Sequence, residues 1–243
     1  MDNVEILVKT LARPICLERL LRSIRVYYPG LPVTVLDDTP WEDTRSTNAQ
    51  HCAHHQAHYL EAEPDIGLSA GRNRLVQQSP REFVVILEDD FEFTAQTNLE
   101  AMREPLLADD YDILGGALEI NGVRAHFEGF VDLADGVLTY APLHDYCYLQ
   151  PADIVFNFLM ARRLRLPPWD ERLHIVEHTA WALTCKYTHP RRVGYQPACA
   201  CAHKPQREGE YVQFRMRTQP YVQLFQEIWG IRETRGTLQP RHG

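Results

Sequence analysis

Apolar positions along the chain switch between two periods. Glu5 to Val8 is a short apolar stretch of strand type. Ile15, Leu17, Leu20, Leu21, Ile24 and Tyr28 then recur at helical spacing, with Arg19, Arg22 and Arg25 on the other side, until Pro29-Gly30 stops the helix. Leu31 to Leu36 (LPVTVL) predicts a second strand, ended by Asp37-Asp38. After a polar stretch, His58 to Leu60 predicts a short third strand, and Leu68 to Gln78 a helix introduced by Gly67. Phe83 to Leu87 (FVVIL) is apolar at every position, the pattern of a strand covered on both faces and therefore central. Strand and helix in alternation predict an α/β fold with a doubly wound, mostly parallel sheet.

The pattern loosens further on. Tyr111 to Ile120 and Val137 to Ala141 read as strands, and Asp153 to Met160 as a buried segment. A helix starts near Glu177 and carries Trp181 and Leu183, while Tyr211 to Trp229 is aromatic-rich at helical spacing and must be kinked or divided by Pro220. Beyond Ile231 the tail RETRGTLQPRHG has little to bury and is expected to fray. With no internal repeat and no Gly/Ser linker, residues 1–230 read as a single domain with a smaller accessory subregion, and 231–243 as its tail.

Composition narrows the class. Of 243 residues, 44% are hydrophobic and 24% charged, so the chain has a core to bury and is not a disordered segment. Its net charge of −8 argues against a partner whose binding depends on phosphate counterion release, so no nucleic-acid partner is expected. Cys16, Cys52, Cys147, Cys185, Cys199 and Cys201 are scattered, without a C-x-x-C pair, and read as the reduced thiols of a cytoplasmic protein. The acidic N-terminus lacks the basic and long apolar regions of a signal peptide, and no apolar run approaches the ~20 residues of a membrane span. Peripheral contact with a membrane remains open.

Ligands of doubly wound sheets sit beyond the carboxyl ends of the strands, so strand-end residues carry the chemistry. Here they are Lys9-Thr10, Asp37-Asp38 and Glu88-Asp89-Asp90. Carboxylates crowded at one strand end need either open solvent or a neutralising cation, and the apolar residues on both sides favour a divalent cation. His51, His54, His55 and His58 would share a face if their segment were helical, and read as a solvated helix between the second and third strands.

The stretches ILVKTLARPICLERLLRSI, VTVLDD, DIGLSAGRNRLV and FVVILEDDFEF, in that order, resemble the GT-A glycosyltransferases, especially the family 2 type and the β-1,4-N-acetylgalactosaminyltransferase group. The likeness is strong over about the first 95 residues and looser through NFLMARRLRLPPWDERLHIVEH. It implies a GT-A, Rossmann-like sheet with an acceptor-side subregion, and an inverting, metal-dependent transfer of a sugar (GalNAc, GlcNAc or Gal) from a UDP-sugar to a glycan or other hydroxyl acceptor. Glu88-Asp89-Asp90 falls on the family's DxD motif, so Asp90, with Glu88, would ligate Mn²⁺ or Mg²⁺, and Glu88 and Asp89 would also face the nucleotide. His203, in ACACAHKP, falls near a late metal-ligating histidine. Asp38 or its neighbour Asp37 matches the uracil-reading position. Thr10, Arg13, Gly67 and Arg72 line the nucleotide-sugar pocket by the same resemblance, and Gly71 would let the backbone come close.

The general base is where the pattern departs. Relatives place an acidic pair at the start of a late helix, whereas this chain reads Val176-Glu177-His178-Thr179-Ala180-Trp181. Glu177 and His178 are the candidates, with Glu177 preferred as a carboxylate that stays ionised at a helix N-terminus. Trp169-Asp170 resembles a segment lining the acceptor pocket and reads equally as an aromatic anchor. Two other readings stand beside this one. One is a non-catalytic module that binds nucleotide or glycan, and the other a sugar-phosphate nucleotidyltransferase, although VKTLARP lacks that class's glycine-rich loop.

Overall fold

The computed structural model describes residues 1–206 and 211–239. In chain order the first half runs β1 (Val4–Thr10), α1 (Pro14–Tyr27), β2 (Val33–Asp37), α2 (Glu42–His54), β3 (His58–Glu61), α3 (Gly67–Gln78), β4 (Phe83–Glu88), β5 (Phe91–Phe93) and α4 (Leu99–Leu107). There follow β6 (Ile113–Ile120), β7 (Val123–Ala125), β8 (Gly129–Ala134), β9 (Val137–Pro142), β10 (Gln150–Pro151) and β11 (Leu159–Arg162). The chain continues through α5 (Glu177–Leu183), extended by one π-turn, then β12 (Val193–His203), α6 (Tyr211–Arg215), α7 (Thr218–Trp229) and β13 (Glu233–Gly236).

The main sheet has the order β10-β12-β6-β11-β4-β1-β2-β3, with β5 and β7 attached to β12 and β6. β1 pairs in parallel with β2 and β4, β2 with β3, and β6 with β12. β11 runs antiparallel between β4 and β6. The expected mostly parallel α/β sheet is therefore present, with FVVIL at its centre as its unbroken apolar run requires.

Side-chain alternation fills two cores. Val4, Ile6 and Val8 of β1 and Phe83, Val85 and Leu87 of β4 face Leu17, Leu20, Leu21 and Ile24 of α1 together with Met102 of α4. Leu7, Val84 and Ile86 face the other way, against Leu75 of α3 and Trp181 of α5. Helices thus cover both sides, and the strand ends converge in one cleft.

The structure departs from the sequence reading in three places. His58 starts β3 and His55 caps α2, so the four histidines do not share one helical face: α2 ends at His54 because Gln56 takes a left-handed conformation at φ 53°. The aromatic C-terminal stretch is divided ahead of Pro220, which sits in the first turn of α7 where its missing N–H costs nothing. The tail is not frayed over 233–236. β13 pairs in parallel with β9, which pairs with β8, and this small sheet covers a third core of Val131, Leu138, Ile154, Leu183, Phe225 and Ile231. Residues 240–243 of that tail lie outside the described residues.

Candidate active site

Sequence-adjacent residues at each strand end take different roles, because the alternation of the chain turns neighbours to opposite sides. At the end of β2, Asp37 is fully buried and spent on structure: it accepts the Thr39 N–H at 2.9 Å, the Asn48 amide at 2.8 Å and the Tyr59 hydroxyl at 3.0 Å. Asp38 is equally buried but turns toward two residues that line a recess, accepting Lys9 Nζ at 2.5 Å and the Gly67 N–H at 3.2 Å. Burial raises its pKa, with Lys9 and the Gly67 N–H opposing. Gly67 adopts φ +87°, and a Cβ there would come within 2.6 Å of His174, so the approach of this N–H to Asp38 depends on glycine. At Gly71 a Cβ would lie 2.8 Å from Lys9 Cγ, which is why α3 can press onto β1.

The acidic triad sits where β4 turns into β5. Asp89 is fully buried, accepts the Thr10 hydroxyl at 2.6 Å and is ion-paired to Arg13. Burial pushes its carboxyl up to about 6, against the pull of Arg13. Asp90 accepts Arg13 at 2.7 Å and faces His203 Nε2 at 3.5 Å. Burial works against the Asp90 anion too, but His203 and Arg13 outweigh it and hold the carboxyl down at about 2. Pairing of Phe91 with His203 across β5 and β12 brings these distant residues together.

Glu88 turns the other way. Its Oε1 takes the Asn157 amide at 2.7 Å and Arg72 at 3.2 Å, and Arg72 reaches on to Glu177 at 2.5 Å. Arg72 is 2% exposed, a buried guanidinium shared by two carboxylates, and not a surface arginine. Asn157 opens the loosely resembling stretch NFLMARR but has no role assigned from the sequence, and only the fold brings it to Glu88.

Two recesses meet here. One, lined by Glu88, Asn157, Phe156, His178 and His203, has a volume of about 270 Å³. The other is a small recess over Lys9, Arg13 and Gly67, walled by Tyr211, Phe214 and Arg217 of the C-terminal helices, and the Arg13 guanidinium lies 3.9 Å from the Tyr211 ring centroid. Thr10, Arg13, Asp38, Gly67, Asp89, Asp90 and His203 are thus brought together, Glu88, Arg72, Glu177 and His178 gather beside them, and Asp37 is turned away. Trp169 stacks on Trp181 at 4.7 Å, 3% exposed, so it anchors the loop before α5, and Asp170 pairs with Arg172.

Among the described residues no three His, Cys, Asp or Glu side chains converge as a ready-made metal cage. Asp90 Oδ1 and His203 Nδ1 are nevertheless buried without a hydrogen-bond partner among the described residues, while His203 Nε2 and Asp90 Oδ2 face each other at 3.5 Å. A carboxylate and an imidazole with unused acceptor atoms suit a cation completed by substrate phosphates and water.

A doubly wound sheet with this acidic turn at the end of its central strand has the GT-A glycosyltransferase architecture. Solved structures of that fold superpose on the chain. Staphylococcus aureus TarS 1-349 gives a TM-score of 0.63 at 14% identity, covering 83% of this chain and 60% of that one. The mannosyltransferase PcManGT from Pyrobaculum calidifontis, in complex with GDP-Man and Mn²⁺, gives 0.64 at 16% identity, covering 93% and 64%. The chain belongs to glycosyl transferase family 2, whose model matches residues 6–166. Among curated proteins, β-1,4 N-acetylgalactosaminyltransferase 1 of Mus musculus is 31% identical over 198 residues, 74% of this chain. The human form is also 31% identical over 198 residues. The chain spans about a third of the length of these relatives, 35%.

Proposed function

We propose that the protein transfers a sugar from a UDP-sugar to a hydroxyl of a glycan or other acceptor, with inversion and with help from Mn²⁺ or Mg²⁺. The observation that carries the reading is the convergence of Asp90, His203, Asp89, Thr10, Arg13 and Asp38 from four separate stretches of chain beside the two recesses. Asp90 and His203 would hold the cation, and the imidazole suits Mn²⁺ better than Mg²⁺. When bound, such a cation neutralises charge on the departing diphosphate. Asp38 would read the uracil N3–H, a donor that cytosine lacks. Arg13 would face the diphosphate, and Gly67 leaves the backbone room beside it. The relatives named as N-acetylgalactosaminyltransferases make UDP-GalNAc the first donor to try.

The test is UDP release from UDP-GalNAc, UDP-GlcNAc and UDP-Gal with a panel of glycan acceptors, with and without Mn²⁺. Turnover that requires both acceptor and Mn²⁺ is the expected result. Calorimetry with UDP, CDP and GDP should show preference for UDP, and equal affinity for all three would remove the role given to Asp38. UDP binding without turnover on any donor would favour a binding module instead.

A further inference from the structure

Transfer to a hydroxyl releases a proton, and the sequence offers two adjacent side chains, Glu177 and His178, to accept it. The structure separates them. Glu177 is 4% exposed and its carboxylate is held by Arg72, which is itself buried and tied to Glu88. Burial alone would raise the Glu177 pKa, but Arg72 outweighs it and holds the carboxyl below its ordinary value. Protonating that carboxylate would leave a buried guanidinium half unpaired, which makes it a poor proton acceptor.

His178 has the opposite situation. It lines the 270 Å³ cleft with Glu88, Asn157 and His203, as Glu177 also does, but among the described residues no ion pair holds its ring. Its ring stands edge-on to Phe156 at 6.5 Å. A neutral imidazole carries its proton on one ring nitrogen and leaves the other as an acceptor. Burial, aided by Arg72, lowers the imidazole pKa, while Glu177 and Glu88 oppose, so the ring is neutral near neutral pH. The backbone supports the division of labour. Val176 sits at φ 66°, a left-handed conformation that a β-branched residue adopts only when its surroundings impose it. This turn starts α5 so that Glu177 is clamped by Arg72 at the wall of the cleft, with the unclamped His178 beside it.

We infer that His178 is the general base, and that Glu177 is its positioning residue, clamped by Arg72. The inference rests on the glycosyltransferase reading above. In the step, the acceptor oxygen bonds to the anomeric carbon as the bond from that carbon to the diphosphate breaks. The hydroxyl proton passes to the free imidazole nitrogen, and the bonding pair leaves with UDP.

The variants His178→Gln and Glu177→Gln test this. Glutamine fills much of the imidazole space without a basic nitrogen, so His178→Gln should lower turnover by about 10²-fold or more, with UDP affinity and melting temperature unchanged. Glu177→Gln removes the negative charge that favours the protonated ring, so the acid limb of its kcat/KM profile should move to lower pH, a shift that mere loosening of the fold would not produce. Wild-type turnover in His178→Gln would overturn the assignment of the base, and an unmoved acid limb in Glu177→Gln would overturn the positioning role. UDP calorimetry on the wild type reports on the donor site separately: a failure there sinks the nucleotide-sugar reading, whereas normal UDP binding with an active His178→Gln sinks only the base.

Discussion

Glu128, just before β8, is fully buried, and only one of its oxygens is satisfied: Oε2 accepts the Phe127 N–H at 3.1 Å, while Oε1 has no partner among the described residues. Burial pushes its pKa from 4.5 up to about 7. A folded pKa above the unfolded one means that the folded state prefers the proton. The stability it contributes is present in full below pH 4.5 and is lost as pH rises through about 7. Glu128→Gln should therefore melt higher than wild type at pH 8 and close to it at pH 5, and scanning calorimetry at the two values checks this. Asp90 is the contrary case, an anion throughout the working range. Asp90→Asn keeps the side chain's shape and removes its charge, so it should abolish stimulation by Mn²⁺ while leaving the far-ultraviolet circular dichroism unchanged. Full Mn²⁺-dependent turnover in that variant would take the metal away from Asp90.

At the scale of elements, Arg72 joins α3 to both the end of β4 and the start of α5 through Glu88 and Glu177. Replacing it with methionine leaves two carboxylates without their cation in a nearly dry place. Loss of one partner of such a buried pair costs about 3–5 kcal/mol, which urea unfolding would register as a lower midpoint. A change under 1 kcal/mol would mean that water reaches the network more freely than its burial suggests. The last strand belongs to this scale too. Ile231 is 6% exposed and β13 hydrogen-bonds along β9, so ending the chain after Gly230 should lower stability by about 2 kcal/mol from the apolar burial alone. Pro220 shows how a helix breaker in the pattern can mark a helix start.

Over the whole molecule, on the proposed function, the parallel strands β1 to β4 would supply the donor side, and the later elements, β12 with His203 and α5 with Glu177 and His178, would close it. A ligand bound between them stabilises both parts. UDP with Mn²⁺ at 100 times its dissociation constant should add about 2.7 kcal/mol, read as a higher melting temperature, and UDP alone should add less. Equal shifts with and without Mn²⁺ would argue that the cation does not bridge protein and diphosphate.

The periodicity of the first ninety residues was enough to determine the parallel sheet, its central strand and the strand ends where Thr10, Asp38 and the acidic triad stand, because burial on one or both faces leaves its mark locally, every second or every third to fourth position. What only the tertiary structure decided concerns partners distant in sequence. Nothing local distinguishes Asp37 from Asp38, or Glu177 from His178, as candidates; each pair is separated by groups brought from elsewhere, Asn48 and Tyr59 in the first case and Arg72 and Phe156 in the second. Asn157 was illegible for the same reason, as was the strand at 233–236, whose exposed polar residues are held by backbone pairing to β9 and leave no hydrophobic trace.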